Sequence, residues 1–313
     1  MSAFREFLGS VKRNARFIVF AHILNPLWAP REKRRNRRFT EGYRRVESYL
    51  DRYRDFVKGL SVTPGEGPAA KSGDKIFTIW YQGEENAPEL VKICFKRLRQ
   101  VYGDRVVVLN RETIYDWTDF PDYIKKKWEA GLITPTHFSD ICRVELLYRH
   151  GGMWFDATDY LTSPVPDWIE KSDLFIYNTG NVITPQTLIQ SCFMRARKGH
   201  PLFAMWREAM FEYWRQENKL IDYFLLHYML RFIVENNEEA RKEFYAMPQI
   251  PQDPTHILWH IHHSAPYTDE LYRESTKDTF FQKTNYKHKR ARKPVAGSVA
   301  DYIVNDKIRL PYG

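Results

Sequence analysis

Residues 139–159 read SDICRVELLYRHGGMWFDATD, and this stretch decides the fold. Its first half sets Ile141, Leu146, Leu147 and Tyr148 on helical spacing, with Thr136, after Pro135, placed to cap the helix. Asp140 and Arg143 stand three apart and project from one side of it. Gly151-Gly152 breaks the helix, and Met153-Trp154-Phe155 is a short apolar strand that delivers Asp156 to its carboxyl end. In open α/β sheets, ligands bind at that end. A carboxylate there is placed to hold a divalent cation against a nucleotide diphosphate, because hard cations take oxygen ligands and keep positions for phosphate.

The neighbouring sequence extends the same alternation. Lys75 to Tyr81 reads as a strand rich in β-favouring residues, Pro88 starts a helix to about Tyr102, and Arg105 to Leu109 is a second strand. Helical segments follow near 111–117 and 121–130, and beyond Asp159 come strands at 173–177 and 190–195 and helices at 201–217 and 221–235. From Pro251 the tail is less regular and carries His256, His260, His262 and His263. This order predicts an α/β domain over 75–313, with a parallel or mixed central sheet flanked by helices. Residues 61–74, rich in Pro and Gly, read as a linker.

The charge is confined to the start of the chain. Residues 1–60 hold 15 Lys/Arg against 6 Asp/Glu, whereas residues 61–313 hold 33 of each, so the formal charge of +9 belongs to a basic helical leader. Phe4, Phe7, Leu8 and Val11 lie on helical spacing, Phe17 to Ala21 is apolar, and 31–38 is a basic run. The uncharged stretch 17–30 falls short of the roughly 20 residues a spanning helix needs. Such a leader suits an anionic membrane surface, with a solvated helical hairpin as the alternative. No recognition motif accompanies the charge, which argues against nucleic acid as a partner. Cys94, Cys142 and Cys192 show no metal-ligand spacing and read as buried thiols in a reducing compartment.

Three segments carry the chemistry. Trp80-Tyr81-Gln82-Gly83 ends the first strand in an aromatic pair and a Gly turn, suited to stacking a nucleobase. The Asp140/Arg143 pair can accept sugar hydroxyls and fork onto phosphate oxygens. Asp156-Ala157-Thr158-Asp159 sets acidic residues at a strand end behind Gly151-Gly152. Each has an ordinary structural alternative: a core aromatic, a helix-surface ion pair and a turn.

Taken in order, Ile79-Trp80-Tyr81-Gln82-Gly83, Ser139-Asp140-Ile141-Cys142-Arg143 and Gly151-Gly152-Met153-Trp154-Phe155-Asp156-Ala157-Thr158 resemble the capsular polysaccharide synthesis protein family, over roughly residues 75–290. That family is related to glycosyltransferases of the DXD type. The resemblance implies a GT-A fold, a nucleotide-sugar donor of the UDP class, a divalent cation such as Mn²⁺ or Mg²⁺, and transfer with retention. It implies that Trp80, with Gln82 and Gly83, meets the donor base, that Asp140 and Arg143 grip the donor sugar and phosphates, and that Asp156 is the first Asp of the motif. The second Asp is Thr158 here, and Asp159 follows. Adjacent strand residues face oppositely, so Asp159 serves as a metal ligand only where the strand has ended in a turn. A C-terminal histidine, His260, His262 or His263 with His263 preferred, is implied as a further ligand. Cation and Arg143 would stabilise the negative charge that builds on the leaving phosphate. Asp222 and His227 are candidates to orient or deprotonate an acceptor hydroxyl. The implied acceptor is a cell-surface polysaccharide or lipid-linked glycan at the cytoplasmic face of the membrane.

Two other function classes remain at this level. A metal-dependent nucleotidyl- or phosphoryl-transferase would use the same carboxylates, although the chain has no Walker-type phosphate loop. A non-catalytic membrane-associated scaffold would act through the leader alone.

Overall fold

Two devices bracket the helix–strand unit read above. Thr134 caps the helix, its hydroxyl accepting from the His137 N–H (3.3 Å), with Pro135 in the first turn, where a missing N–H costs nothing. The expected cap, Thr136, instead lies exposed inside that turn. At the other end Gly151 adopts φ 66° and its N–H donates to the Leu147 carbonyl (2.9 Å).

The computed structural model describes residues 29–61, 75–179, 187–287 and 289–310; the leader stretches around Phe4–Val11 and Phe17–Ala21 and nearly all of the linker lie outside them. In chain order come α1 (Ala29–Leu50), α2 (Arg54–Gly59), β1 (Ile76–Ile79), α3 (Glu89–Tyr102), β2 (Val106–Leu109), α4 (Asp122–Glu129) and α5 (Pro135–His150). Then follow β3 (Gly152–Phe155), β4 (Asp159–Leu161), β5 (Leu174–Asn178), β6 (Ile189–Ala196), α6 (Pro201–Gln216), α7 (Leu225–Asn236) and α8 (Glu238–Ala246). The last are α9 (Asp269–Thr276), β7 (Phe281–Lys283) and α10 (Val299–Val304), with single helical turns between some of these elements.

The central sheet has the order β2-β1-β3-β6-β5. β1 runs parallel to β2 and β3, whereas β6 is antiparallel to both β3 and β5. The sheet is therefore mixed and flanked by helices, as the α/β alternation and a GT-A-like fold require. β2, β3 and β5 read as nearly continuous apolar runs because both faces of the sheet are covered. Phe77, Trp154, Ile176 and Met194 pack toward α5, α6 and α7, while Ile76, Met153, Phe175 and Phe193 pack with Leu98 and Tyr102 of α3 on the other face. Outside the sheet, β4 and β7 form a separate antiparallel pair. Neither strand is marked by the sequence pattern.

The second half of the expected leader belongs to this body. Tyr43, Val46, Leu50, Tyr53 and Val57, spaced by three or four residues, are all buried in the core formed with α6 and α7. Tyr43 donates to Glu235 (2.8 Å), and Asn237 Nδ2 donates to the carbonyls of Val57 (3.0 Å) and Leu60 (2.8 Å). The third cluster of the core joins α3 to α10 and Trp259. All three cysteines are buried free thiols. Among the described residues no helix is long and apolar enough to cross a membrane.

Gly152 marks the tightest packing in the sheet. Its φ is 96°, and a Cβ there would stand 2.1 Å from the Lys75 carbonyl oxygen, which accepts the Met153 N–H. Gly152→Ala is expected to destabilise the fold by about 2–4 kcal/mol, combining left-handed backbone strain with overlap against backbone. Gly42→Ala, in α1 with nothing within 4 Å of the added carbon, is expected to stabilise by about 0.5–1 kcal/mol. Urea denaturation followed by circular dichroism reads both, and a neutral Gly152→Ala would contradict the close approach.

Candidate active site

β3 ends at Phe155, and the next four residues turn back on themselves. The Asp159 N–H donates to the Asp156 carbonyl (2.9 Å), and the Asp156 N–H donates to Asp159 Oδ2 (3.1 Å). On a continuous strand the residues at 156 and 159 would face opposite ways. The turn instead brings both carboxylates to one cation, Lys283, whose Nζ lies 2.6 Å from Asp156 Oδ2 and 3.2 Å from Asp159 Oδ1. Lys283 stands there because β7 pairs with β4 in the register that sets it opposite Asp159. The Thr158 carbonyl accepts from both the N–H (2.9 Å) and the hydroxyl (2.7 Å) of Thr284, which locks the turn against β7.

α5 supplies the support beneath. Asp140 and Arg143 are both buried; the two terminal nitrogens of Arg143 face protein partners, and its Nε has no hydrogen-bond partner among the described residues. Arg143 Nη1 donates to the Ser191 carbonyl (3.0 Å) and hydroxyl (2.6 Å), while Nη2 lies 3.2 Å from Asp140 Oδ1 and 3.3 Å from Asp156 Oδ1. The guanidinium also sits 4.9 Å from the centre of the Trp154 ring. Asp140 Oδ2 is 3.4 Å from His137 Nδ1, and His137 Nε2 accepts from Trp214 Nε1 (3.0 Å), which assigns the imidazole proton to Nδ1. The pair thus holds Asp156 from behind instead of presenting a free carboxylate and a free guanidinium.

The charges follow from these contacts. Burial opposes ionisation of Asp156, but Lys283 and Arg143 outweigh it and hold the carboxyl below the usual carboxylate range. Burial likewise opposes the Lys283 ammonium, and the two carboxylates overcome it, so its pKa lies above the ordinary lysine value. Asp159 goes the other way: burial, reinforced by Asp156 beside it, outweighs Lys283 and pushes its carboxyl up to about 8.

The turn opens on a cleft of about 330 Å³, within the range of small-molecule sites. Asp156, Ser191, His227, His256, His260 and Lys283 line it. Nδ1 of His227 has no hydrogen-bond partner among the described residues, and burial lowers its pKa to about 4, so the ring is neutral near pH 7. His256 Nδ1 lies 2.7 Å from the Thr255 hydroxyl, and burial, with His260 beside it, lowers its pKa to about 3.

Several expected residues stand elsewhere. Asp222 precedes α7, which begins four residues later than expected, and its Oδ1 accepts from the Phe224 N–H (2.8 Å), so it is spent on a turn outside the cleft. Trp80 does not line the cleft either; its ring meets Tyr286 edge-on (5.4 Å) in a small cluster that includes Ala157, beside the turn. Gln82 is exposed, and Gly83, at φ 85°, completes the turn after β1 by donating to the Trp80 carbonyl (3.0 Å).

The expected metal ligands, Asp156, Asp159 and His263, do not assemble. His263 is not among the cleft residues, where His256 and His260 stand instead. Asp156 Oδ1 is taken by Trp154 Nε1 (2.9 Å) and Arg143, and an ammonium occupies the position between the two carboxylates. Among the described residues no three His, Cys, Asp or Glu side chains group as metal ligands. The donor set therefore does not fit a bound divalent cation. Lys283, Ser191 and His256 were not anticipated, because the ribbon of β4 and β7 that places Lys283 has strands of three residues each, too short for a period-two pattern to register.

Known proteins resemble this chain in the same sense. A family model described as capsular polysaccharide synthesis protein matches residues 31–303. The O-glycosyltransferase braB of Annulohypoxylon truncatum is 26% identical over 160 residues, which cover 46% of this chain and 38% of that protein. The chain thus spans well under half the length of that relative.

Asp159 gives the site a measurable pH signature. Between an unfolded carboxyl pKa of about 4 and the folded value of about 8, the folded state alone holds the proton, so this group's contribution to stability falls as pH rises through that window. Asp159→Asn is expected to remove the fall: the thermal midpoint of the variant, relative to the parent protein, should climb by several degrees from pH 5 to pH 8. A difference that stays constant with pH would mean that Asp159 is ionised throughout.

Proposed function

The chain belongs to the capsular polysaccharide synthesis protein family, and we propose on that footing that it is a glycosyltransferase, moving a sugar from a UDP-class nucleotide-sugar donor to a growing surface-polysaccharide or lipid-linked acceptor. The observation that carries this reading is the cleft at the carboxyl end of β3, where a carboxylate, an ammonium and hydroxyl- and imidazole-bearing side chains meet. Sugar hydroxyls need fixed acceptors and donors, and Asp156, Ser191 and His227 offer both.

Breaking the bond between the anomeric carbon and the donor phosphate oxygen leaves a full negative charge on the diphosphate. Stabilisation must therefore be concentrated where that charge grows. Arg143 contributes indirectly, by holding Asp156 and through it Lys283. His227, neutral near pH 7, orients a sugar hydroxyl by hydrogen bonding. The proposed outcome is retention, with the leaving oxyanion and the arriving hydroxyl on the same face of the sugar. The family match and the O-glycosyltransferase similarity support glycosyl transfer over nucleotidyl transfer.

We place the acceptor at the inner face of the cell membrane, reached through the basic segment at 31–38 and the residues before it. Deleting residues 1–38, ahead of the part of α1 packed into the core, should abolish co-sedimentation with anionic vesicles and leave donor turnover intact. Retained vesicle binding would remove the anchoring role.

Incubating the purified protein with a panel of nucleotide sugars is expected to release a nucleoside diphosphate from one of them; release of pyrophosphate would establish nucleotidyl transfer instead. Asp156→Asn should lower that release by roughly a hundredfold through misplacement of Lys283 and Arg143. An active variant with an unchanged melting midpoint would displace the site.

A further inference from the structure

The disagreement between the expected metal site and the side chains present points to a specific role for Lys283. In the resemblance on which the metal expectation rests, a divalent cation lies against two carboxylates and faces the donor diphosphate. Here the residue in the second carboxylate position is Thr158, and the displaced carboxylate, Asp159, is turned back so that it and Asp156 close on the Lys283 ammonium at 3.2 and 2.6 Å. The other oxygens of the pair are committed, Asp156 Oδ1 to Trp154 and Arg143 and Asp159 Oδ2 to the Asp156 N–H. The Lys283 ammonium, a group with three donors, donates to Asp156 and lies in ion-pair range of Asp159, and the side chain, 19% exposed, lines the cleft.

We propose that Lys283 is a built-in cation that takes the place of the divalent metal, binding the diphosphate of the donor and neutralising the charge released on it, so that this enzyme works without a divalent ion. This rests on the glycosyltransferase reading above. A lysine on a strand cannot be lost to chelators, and the pairing of β4 with β7 gives it one position.

The test measures binding of uridine, guanosine and adenosine diphosphates to the full chain by calorimetry, in EDTA and in Mn²⁺, alongside donor hydrolysis under the same conditions. The nucleotide that binds is expected to do so with a Kd unchanged within about twofold between the two media. Lys283→Ala should weaken it by at least roughly tenfold, with partial rescue by Mn²⁺, and Lys283→Arg should retain most of it. Because the alanine variant leaves carboxylates uncompensated, the double variant Lys283→Met with Asp159→Asn, checked by its melting curve, should show the same loss. Binding by the parent protein that disappears in EDTA, or survives unchanged in the folded lysine variants, would overturn the inference while leaving glycosyl transfer standing. Absence of nucleotide binding in both media would overturn both.

Discussion

The buried charge at the end of β3 has to be balanced within the protein, and much of the site follows from that constraint. Arg143 is nearly inaccessible to water, lies over the Trp154 ring, and is bracketed by Asp140 on its own helix and Asp156 after the strand. A guanidinium so placed needs counter-charge and acceptors close by, because desolvation of an unpaired charge costs several kcal/mol. Asp140, Asp156 and Ser191 meet that demand, and each comes from a different element: α5, the β3 turn and β6. The same ion contacts therefore tie helix to sheet and sheet to cleft. Asp156 passes the constraint on to Lys283, and Lys283 to Asp159.

This chain of alternating charges gives the cleft its rigidity. Side chains that could swing freely as single ions are each held by two or more partners, which is the preorganisation that electrostatic stabilisation of a leaving group requires. His137 and Trp214 extend the support away from the cleft, into the helical layer formed by α5 and α6. In contrast, His227 lines the cleft with a ring nitrogen that has no hydrogen-bond partner among the described residues, the arrangement expected of a group that waits for a ligand.

Much of the scaffold was legible because it depends on local signals. The Gly151-Gly152 break, the apolar run after it and the acidic residues at its end are encoded within a few residues, and they mark the strand end where the cleft opens. The parallel strands β1 and β2 were readable from short β-branched and aromatic runs bounded by turn formers. Asp222 misled because an acidic residue near a helix start serves as a capping group as readily as a catalytic one. The 1–60 segment misled for another reason: its charge surplus masks an apolar stripe from Tyr43 to Val57 that packs into the core.

The sequence by itself determined the α/β alternation, the strand end that carries Asp156, and the membership of Asp140 and Arg143 in the same neighbourhood, because helical and strand periods act over a few residues. Only the tertiary structure decided which cation those carboxylates face. Lys283 lies 127 residues from Asp156 in the chain, and no periodicity reaches that far. Its place is set by the register of two three-residue strands, and a shift of one residue would turn the ammonium to the opposite face of the ribbon.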